Sequence, residues 1–242
     1  MSSGAPVSRI ARAYPDRVEV RGRDLAELMG RLSFTEFFHL LLTGEEPTDD
    51  QRYFLDVLLV AIAEHGLMPT NVAARMTLAA DPNALQGAVA AGILGAGPVV
   101  LGTAAECARL LAAGGDPETV VREIRAAGGR VPGFGHPVHR EKDPRAERVL
   151  ELADIRGVSG PHVALARRLR DAMAPLPMNV SMPIAAVMLD LGFPESVVKA
   201  VPILARTASL LAHLAEEREQ PLGLLLARAA EEAVEYRPPD AT

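Results

Sequence analysis

Apolar residues recur along most of this chain at intervals of three and four, the period of helices that bury one face. Polar residues mark where those runs begin and end. Ser33 caps "FTEFFHLLL", and Glu36 completes a capping box. Thr48 caps a run that opens with Asp49 and Asp50, sets Phe54, Leu58, Ala61, Ile62 and His65 on one face, and stops near Gly66. Asp116-Pro117-Glu118 starts a helix that Gly128 and Gly129 end. Asp143-Pro144-Arg145 starts the next, with proline in its favoured first position. Pro194 opens a run toward Ala200, and "ILARTASLLAHLAEERE" carries helical spacing on to Glu219. Only "DRVEVRG", residues 16–22, alternates as a short ribbon would. The pattern predicts an all-α chain of about a dozen helices with no βαβ rhythm.

Between Pro82 and Ala105 no residue is charged. Its glycines, Asn83, Gln86 and the break at Pro98 make it a poor membrane span, so it reads as a buried helix pair. "AAGGDP" at 112–117 and "RGVSGP" at 156–161 are loops, and no internal repeat shows. A second lobe over residues 104–199, with 1–103 and 200–242 forming the first, is compatible with this pattern.

Composition narrows the function. Aromatics are 4% and Trp is absent, which disfavours base-stacking surfaces. A formal charge of −6 disfavours binding to a nucleic-acid backbone. Lysine occurs only at Lys142 and Lys199, so nearly every cation is an arginine, suited to forking onto a small carboxylate or phosphate. The lone Cys107 excludes an internal disulfide and disfavours a cysteine zinc site; no metal is expected. "MSSGAPVSRIARAYPDR" has no apolar signal region, and a cytoplasmic location is expected. HExxH, P-loop, GxGxxG and GxSxG patterns do not occur.

One stretch is unusual: "VPGFGHPVHREKDPRAERVLELA", residues 131–153. Gly133 and Gly135 frame Phe134 ahead of His136, and glycines let backbone approach a ligand closely. A turn between helices explains them equally well. Arg145 sits in the first turn of its helix, where a cation opposes the macrodipole unless an anion lies beside it. An ordinary exposed arginine remains open, as does a core role for His65. His39, His139, His162 and His213 read as structural.

"GFGHPVHREKDPRAERVLELA" resembles the signature of the citrate synthase family, a Gly-aromatic-Gly-His followed by Asp-Pro-Arg. "VEVRGRDLAELMGRLSFTEFFHLLLTGEEPTDDQ", "AEHGLMPTNVAARMTLA" and "ARTASLLAHLAEEREQPL" are similar to other family segments, in family order. The resemblance implies a citrate synthase-like fold, with a large and a small helical domain and the active site in the cleft between them. It implies a homodimer or higher even oligomer acting on a CoA thioester and a dicarboxylate or 2-oxo acid, with no covalently bound cofactor. It places His136 on the reacting oxygen. It gives His65, Arg145 and Arg206 the substrate carboxylates, and it turns the loop of Gly133, Phe134, Gly135 and Arg140 toward CoA. Residues 82–105 would form the dimer interface.

Three departures qualify this. The family's "GPLHG" histidine is missing from "AGPVVLGTA", Met68 replaces an asparagine, and "MNVSMP" puts Ser181 where the family carries an aspartate base. A serine hydroxyl is no base near neutral pH without help. Short chains of the family, the citryl-CoA lyases, also lack that histidine. The sequence therefore points to cleavage of a citryl-CoA-type thioester to acetyl-CoA and oxaloacetate, with His136 taking the hydroxyl proton. The alternatives are a catalytically impaired CoA-thioester or dicarboxylate-binding member, and a synthase-type acyltransferase with an altered substrate.

Overall fold

The computed structural model describes residues 6–136 and 138–238. A small antiparallel sheet comes first: β1 (Ala11–Ala13), β2 (Val18–Val20) and β3 (Arg23–Asp24), in the order β1-β2-β3. The ribbon expected at 16–22 thus contributes only β2; β1, which is exposed, and β3 lie outside it. Helices make up the rest of the described fold. They are α1 (Leu25–Leu28), α2 (Phe34–Thr43), α3 (Asp49–Ala63), α4 (Pro69–Ala80), α5 (Leu85–Leu94) and α6 (Thr103–Ala113). After them come α7 (Pro117–Ala126), α8 (Pro144–Ile155), α9 (Pro161–Met173), α10 (Ser181–Asp190), α11 (Ala200–Glu219) and α12 (Gly223–Ala233).

Local chemistry sets many of the boundaries. Ser33–Glu36 and Thr48–Gln51 form complete capping boxes at α2 and α3. Asp116 and Asp143 cap α7 and α8, each followed by proline. Asp190 closes α9 from a distance: its buried carboxylate accepts the N–H groups of Gly160, His162 and Val163 and meets His162 Nδ1 at 2.8 Å. His162 is structural, as the sequence suggests.

The main core surrounds α10, which is buried along nearly its whole length against α6, α8 and α9. Phe54 and Leu58 of α3 and Val201 of α11 join the same core. A second cluster, Ala74, Leu78, Ala88, Leu210 and Leu214, packs α4, α5 and α11 together. A Cβ at Gly92 would come within 2.9 Å of both Leu210 methyls and the Thr70 carbonyl oxygen, so this crossing needs glycine. Glu195–Glu219 is the one stretch among the described residues long and apolar enough to cross a membrane. Its helix packs on α3, α4 and α5 and buries Arg206 and Glu217, as a core helix does.

The helix pair expected over 82–105 is corrected. Only α5 is helical there before α6 begins at Thr103; residues 95–102 form a tight loop. Gly95, Gly97, Pro98 and Gly102 account for this, since a Cβ at Gly102 would lie 2.6 Å from the Gly97 carbonyl oxygen. Nor is the segment buried throughout within one chain: Ala88 and Ala104 are, but Leu94 is 86% and Val99 90% exposed.

Candidate functional site

Three segments converge beside the end of α3: residues 64–68, the glycine loop before α8, and residues 177–181 leading into α10. The loop is pinned by backbone pairing. Gly135 N–H donates to Pro177 O at 2.8 Å and Asn179 N–H to Gly133 O at 2.9 Å. Asn179 then places its amide between the two segments, donating Nδ2–H to Gly135 O at 3.1 Å and accepting Ser181 N–H at 3.1 Å.

This framework brings His65 and His136 into contact, with Nε2 to Nε2 at 3.1 Å. Their proton positions follow from the bonds around them. His136 Nδ1 accepts the backbone N–H groups of Val138 (3.1 Å) and His139 (3.0 Å), so it carries a lone pair. These two bonds are shorter than the 3.4 Å approach of Arg145 to Nε2, so the proton of neutral His136 is assigned to Nε2 and His65 Nε2 accepts it. Burial, then the charges of His139 and His65, push His136 below the ordinary imidazole range. Burial, followed by the Arg145 charge, does the same to His65. This arrangement favours His65 over His136 as the group that takes a hydroxyl proton. The exposed His136 nitrogen donates, and the free lone pair belongs to His65.

His139, read from sequence as structural, is the third member. Its ring stacks on His65 at 5.4 Å and lies 4.5 Å from His136. The His-x-x-His spacing was the available signal. Donor atoms of the three rings lie within 4.8 Å of one another, close enough for a metal. The donor chemistry does not fit one. A metal needs a lone pair on each ligand, and His136 Nε2 has none without becoming an imidazolate. The Arg145 guanidinium, 3.4 Å from that nitrogen, adds repulsion.

Arg145 has its anion, and it is internal. Nε and one terminal nitrogen fork onto Asp143 at 3.0 and 2.8 Å. Asp143 also accepts the N–H groups of Arg145 and Val180. Burial pushes this carboxyl up, but the Arg145 bonds and charge outweigh it and hold the group below the ordinary range. Arg206 is 2% exposed, donates to Asn71 Oδ1 at 2.9 Å, and has no partner for Nε among the described residues.

A cavity of about 630 Å³ joins His65, His136, Arg145, Ser181 and Arg206, with Gly135 at its edge and Met68 and Leu101 on its apolar wall. Leu101 holds φ at +64°, a strained value for a branched side chain. Such strain clusters at ligand sites. The remaining loop residues lie elsewhere. Gly133 is buried: a Cβ there would sit 2.8 Å from Cys107 Sγ and 2.9 Å from Met182 Cβ, so core packing accounts for this glycine. Phe134 faces a separate cavity of about 320 Å³ beside Arg125 and Arg130. Arg140 is exposed. Asn179 lines the main cavity and was not singled out, because a lone asparagine carries no pattern.

Chemically, the cavity offers a donor at His136, an acceptor at His65 and two guanidinium groups, a set that matches a hydroxy- or oxo-dicarboxylate.

Comparison with known proteins gives a consistent picture. The family described as "Citrate synthase, C-terminal domain" matches residues 11–228. A "Putative citrate synthase 2" of Mycobacterium tuberculosis is 31% identical over 198 residues, 76% of this chain and 52% of that protein. The citrate synthase of Haloferax volcanii is 27% identical over 82% of this chain and 55% of its own length. The chain thus spans about half the length of the curated relatives it matches. Among solved structures, citryl-CoA lyase from Hydrogenobacter thermophilus superposes with a TM-score of 0.86 at 28% identity, covering 98% of this chain and 96% of that one. Methanosaeta concilii ATP citrate lyase, in complex with (3S)-citryl-CoA, shares the fold at a TM-score of 0.79 and 18% identity, over 99% of this chain and 43% of its own.

Proposed function

Because this chain belongs to the citrate synthase family, we propose that its cleft cleaves a citryl-CoA-type thioester to acetyl-CoA and oxaloacetate. The observation that carries this reading is the His65–His136 pair, 3.1 Å apart at Nε2, lining one cavity with the Arg145 and Arg206 guanidinium groups.

Retro-aldol cleavage needs a proton acceptor at a tertiary hydroxyl and a donor that holds the charge left on that oxygen. A substrate hydroxyl entering between the imidazoles would replace their direct bond. His65 Nε2 takes its proton while His136 Nε2–H donates to the oxygen. The carbon–carbon electron pair moves to the thioester half as an enolate, and the oxygen becomes the oxaloacetate carbonyl. The His65 proton returns through solvent to the enolate carbon, which completes the methyl group of acetyl-CoA. Arg145 and Arg206 hold the carboxylates. Ser181 is no carboxylate base, so no side chain at that position exchanges a proton directly with the enolate carbon.

The near end-to-end match to a citryl-CoA lyase supports the cleaving direction. Leu94 and Val99, exposed in a single chain, support pairing of two chains through residues 82–105. Residues 104–199 as the small domain, and a cytoplasmic location, belong to the same proposal. The test is direct: incubation with citryl-CoA, with oxaloacetate followed by NADH oxidation through malate dehydrogenase. Release of oxaloacetate and acetyl-CoA in equal amounts supports it. Tight binding of CoA thioesters without release supports the impaired, binding reading instead.

A further inference from the structure

Behind His65 a chain of polar groups runs away from the cavity along one face of α11, at Arg206, Ser209, His213 and Glu217. Its near end is Glu64, the residue that ends α3. One Glu64 oxygen accepts the backbone N–H groups of His65 (2.7 Å) and Gly66 (2.5 Å). The other accepts Ser209 Oγ–H at 2.5 Å and meets His213 Nε2 at 3.0 Å. Behind His213 stands Arg75, with no exposed surface, whose Nε and a terminal nitrogen lie 3.1 and 2.8 Å from His213 Nδ1. Arg75 is itself held by Glu216 and by buried Glu217, the latter at 2.9 Å.

These bonds have a direction. A guanidinium only donates, so His213 Nδ1 accepts and its proton lies on Nε2, aimed at Glu64. Glu64 then receives four donors and offers none. A carboxylate satisfies all four; an amide cannot, because its NH₂ would face donors on whichever side it took.

We infer that Glu64 is a positioning residue for His65, held in place by the Arg75–His213 relay. It fixes the backbone turn at His65 and Gly66, and so the angle at which the His65 ring meets His136. This inference rests on the reading of His65 as the proton acceptor. An isosteric amide disturbs those four bonds in either role, so the readouts that decide are the His65 ring signals and the split between kcat and KM.

The experiment uses the full chain with Glu64→Gln, His213→Gln and His213→Leu. Cleavage of citryl-CoA is measured alongside NMR spectra of the histidine rings and thermal melting. In E64Q, kcat should fall about 10²-fold at little-changed KM, the scale of a small misplacement of a reacting group. The His65 ring signals should move while those of His162 stay fixed. H213Q should keep most of the activity, since glutamine offers an acceptor to Arg75 and an N–H to Glu64; H213L should behave like E64Q. Wild-type kcat and unmoved His65 signals in E64Q would overturn the inference, as would equal losses in H213Q and H213L. If the wild-type chain shows no cleavage, the proposed function fails, and the ring signals alone still decide the relay.

Discussion

Asp143 and Arg145 form a two-point ion pair at the start of α8, with the carboxylate buried and the guanidinium reaching the cavity. One carboxylate thereby caps a helix, receives the Val180 N–H at the entry to α10, and aims an arginine beside His136. The cation that opposes the α8 dipole is compensated before any ligand arrives.

Asp143→Asn should therefore cost stability as well as activity. Breaking a buried pair leaves a charge without its partner, and a loss of about 3 kcal/mol is expected in urea unfolding. The pH dependence has a definite sign. Asp143 is held below its unfolded value, so its contribution is complete above about pH 4 and is lost as pH falls through the folded value. The asparagine variant should show a flatter acid limb than the wild type.

Arg145→Ala and Arg206→Ala should each weaken binding of oxaloacetate or citrate by about 1.5–3 kcal/mol, the scale of a charge-assisted bond. Calorimetry checks this. Unchanged affinity in both variants would remove the carboxylate roles. Arg206→Ala should also lower stability, because Asn71 Oδ1 loses a buried donor.

His139→Ala tests the histidine stack. The charge on His139 is among the influences that lower both His65 and His136. Its removal should raise both toward the ordinary value. Cleavage needs unprotonated His65, so kcat/KM falls as pH drops through its value, and the acid limb should move to higher pH in this variant. A limb that stays in place, read from a pH–rate profile, would show that His139 only fills space.

Ser181 is tested by measuring cleavage and condensation together. Ser181→Ala should have a small effect on cleavage, while His136→Ala and His65→Ala should each reduce it by about 10²- to 10⁴-fold. The wild type should be a poor synthase, and Ser181→Asp should raise condensation if the 8%-exposed site admits a carboxylate. Condensation of acetyl-CoA with oxaloacetate by the wild type at about 1–10³ s⁻¹ would show that another group supplies the base.

What was legible in the sequence was local. Ser33, Thr48, Asp116 and Asp143 act on residues within three positions, and each cap stands where its spacing put it. The family motifs also named His65, His136, Arg145, Ser181 and Arg206, which share the cavity, while Gly133, Phe134 and Arg140 lie outside its lining. Contacts across the chain were not legible: His213 meets Glu64 and Arg75, and Asn179 meets Gly135, through packing that no short pattern encodes. The tautomer assigned to His136 rests on two backbone N–H groups whose directions exist only in the folded loop. Residues 82–105 were misread because lack of charge describes a glycine-lined loop as well as a buried helix.

The contact between Gly133 and Cys107 gives the chain a built-in reporter. Cys107 is its only thiol and is fully enclosed, partly by the backbone of the loop that carries His136. A thiol reagent can reach it only when that enclosure opens. The rate of modification in native buffer therefore counts openings of the loop that carries His136 and of its surrounding core. A bound substrate that closes the loop should slow the labelling, so ligands could be ranked without any assay of turnover.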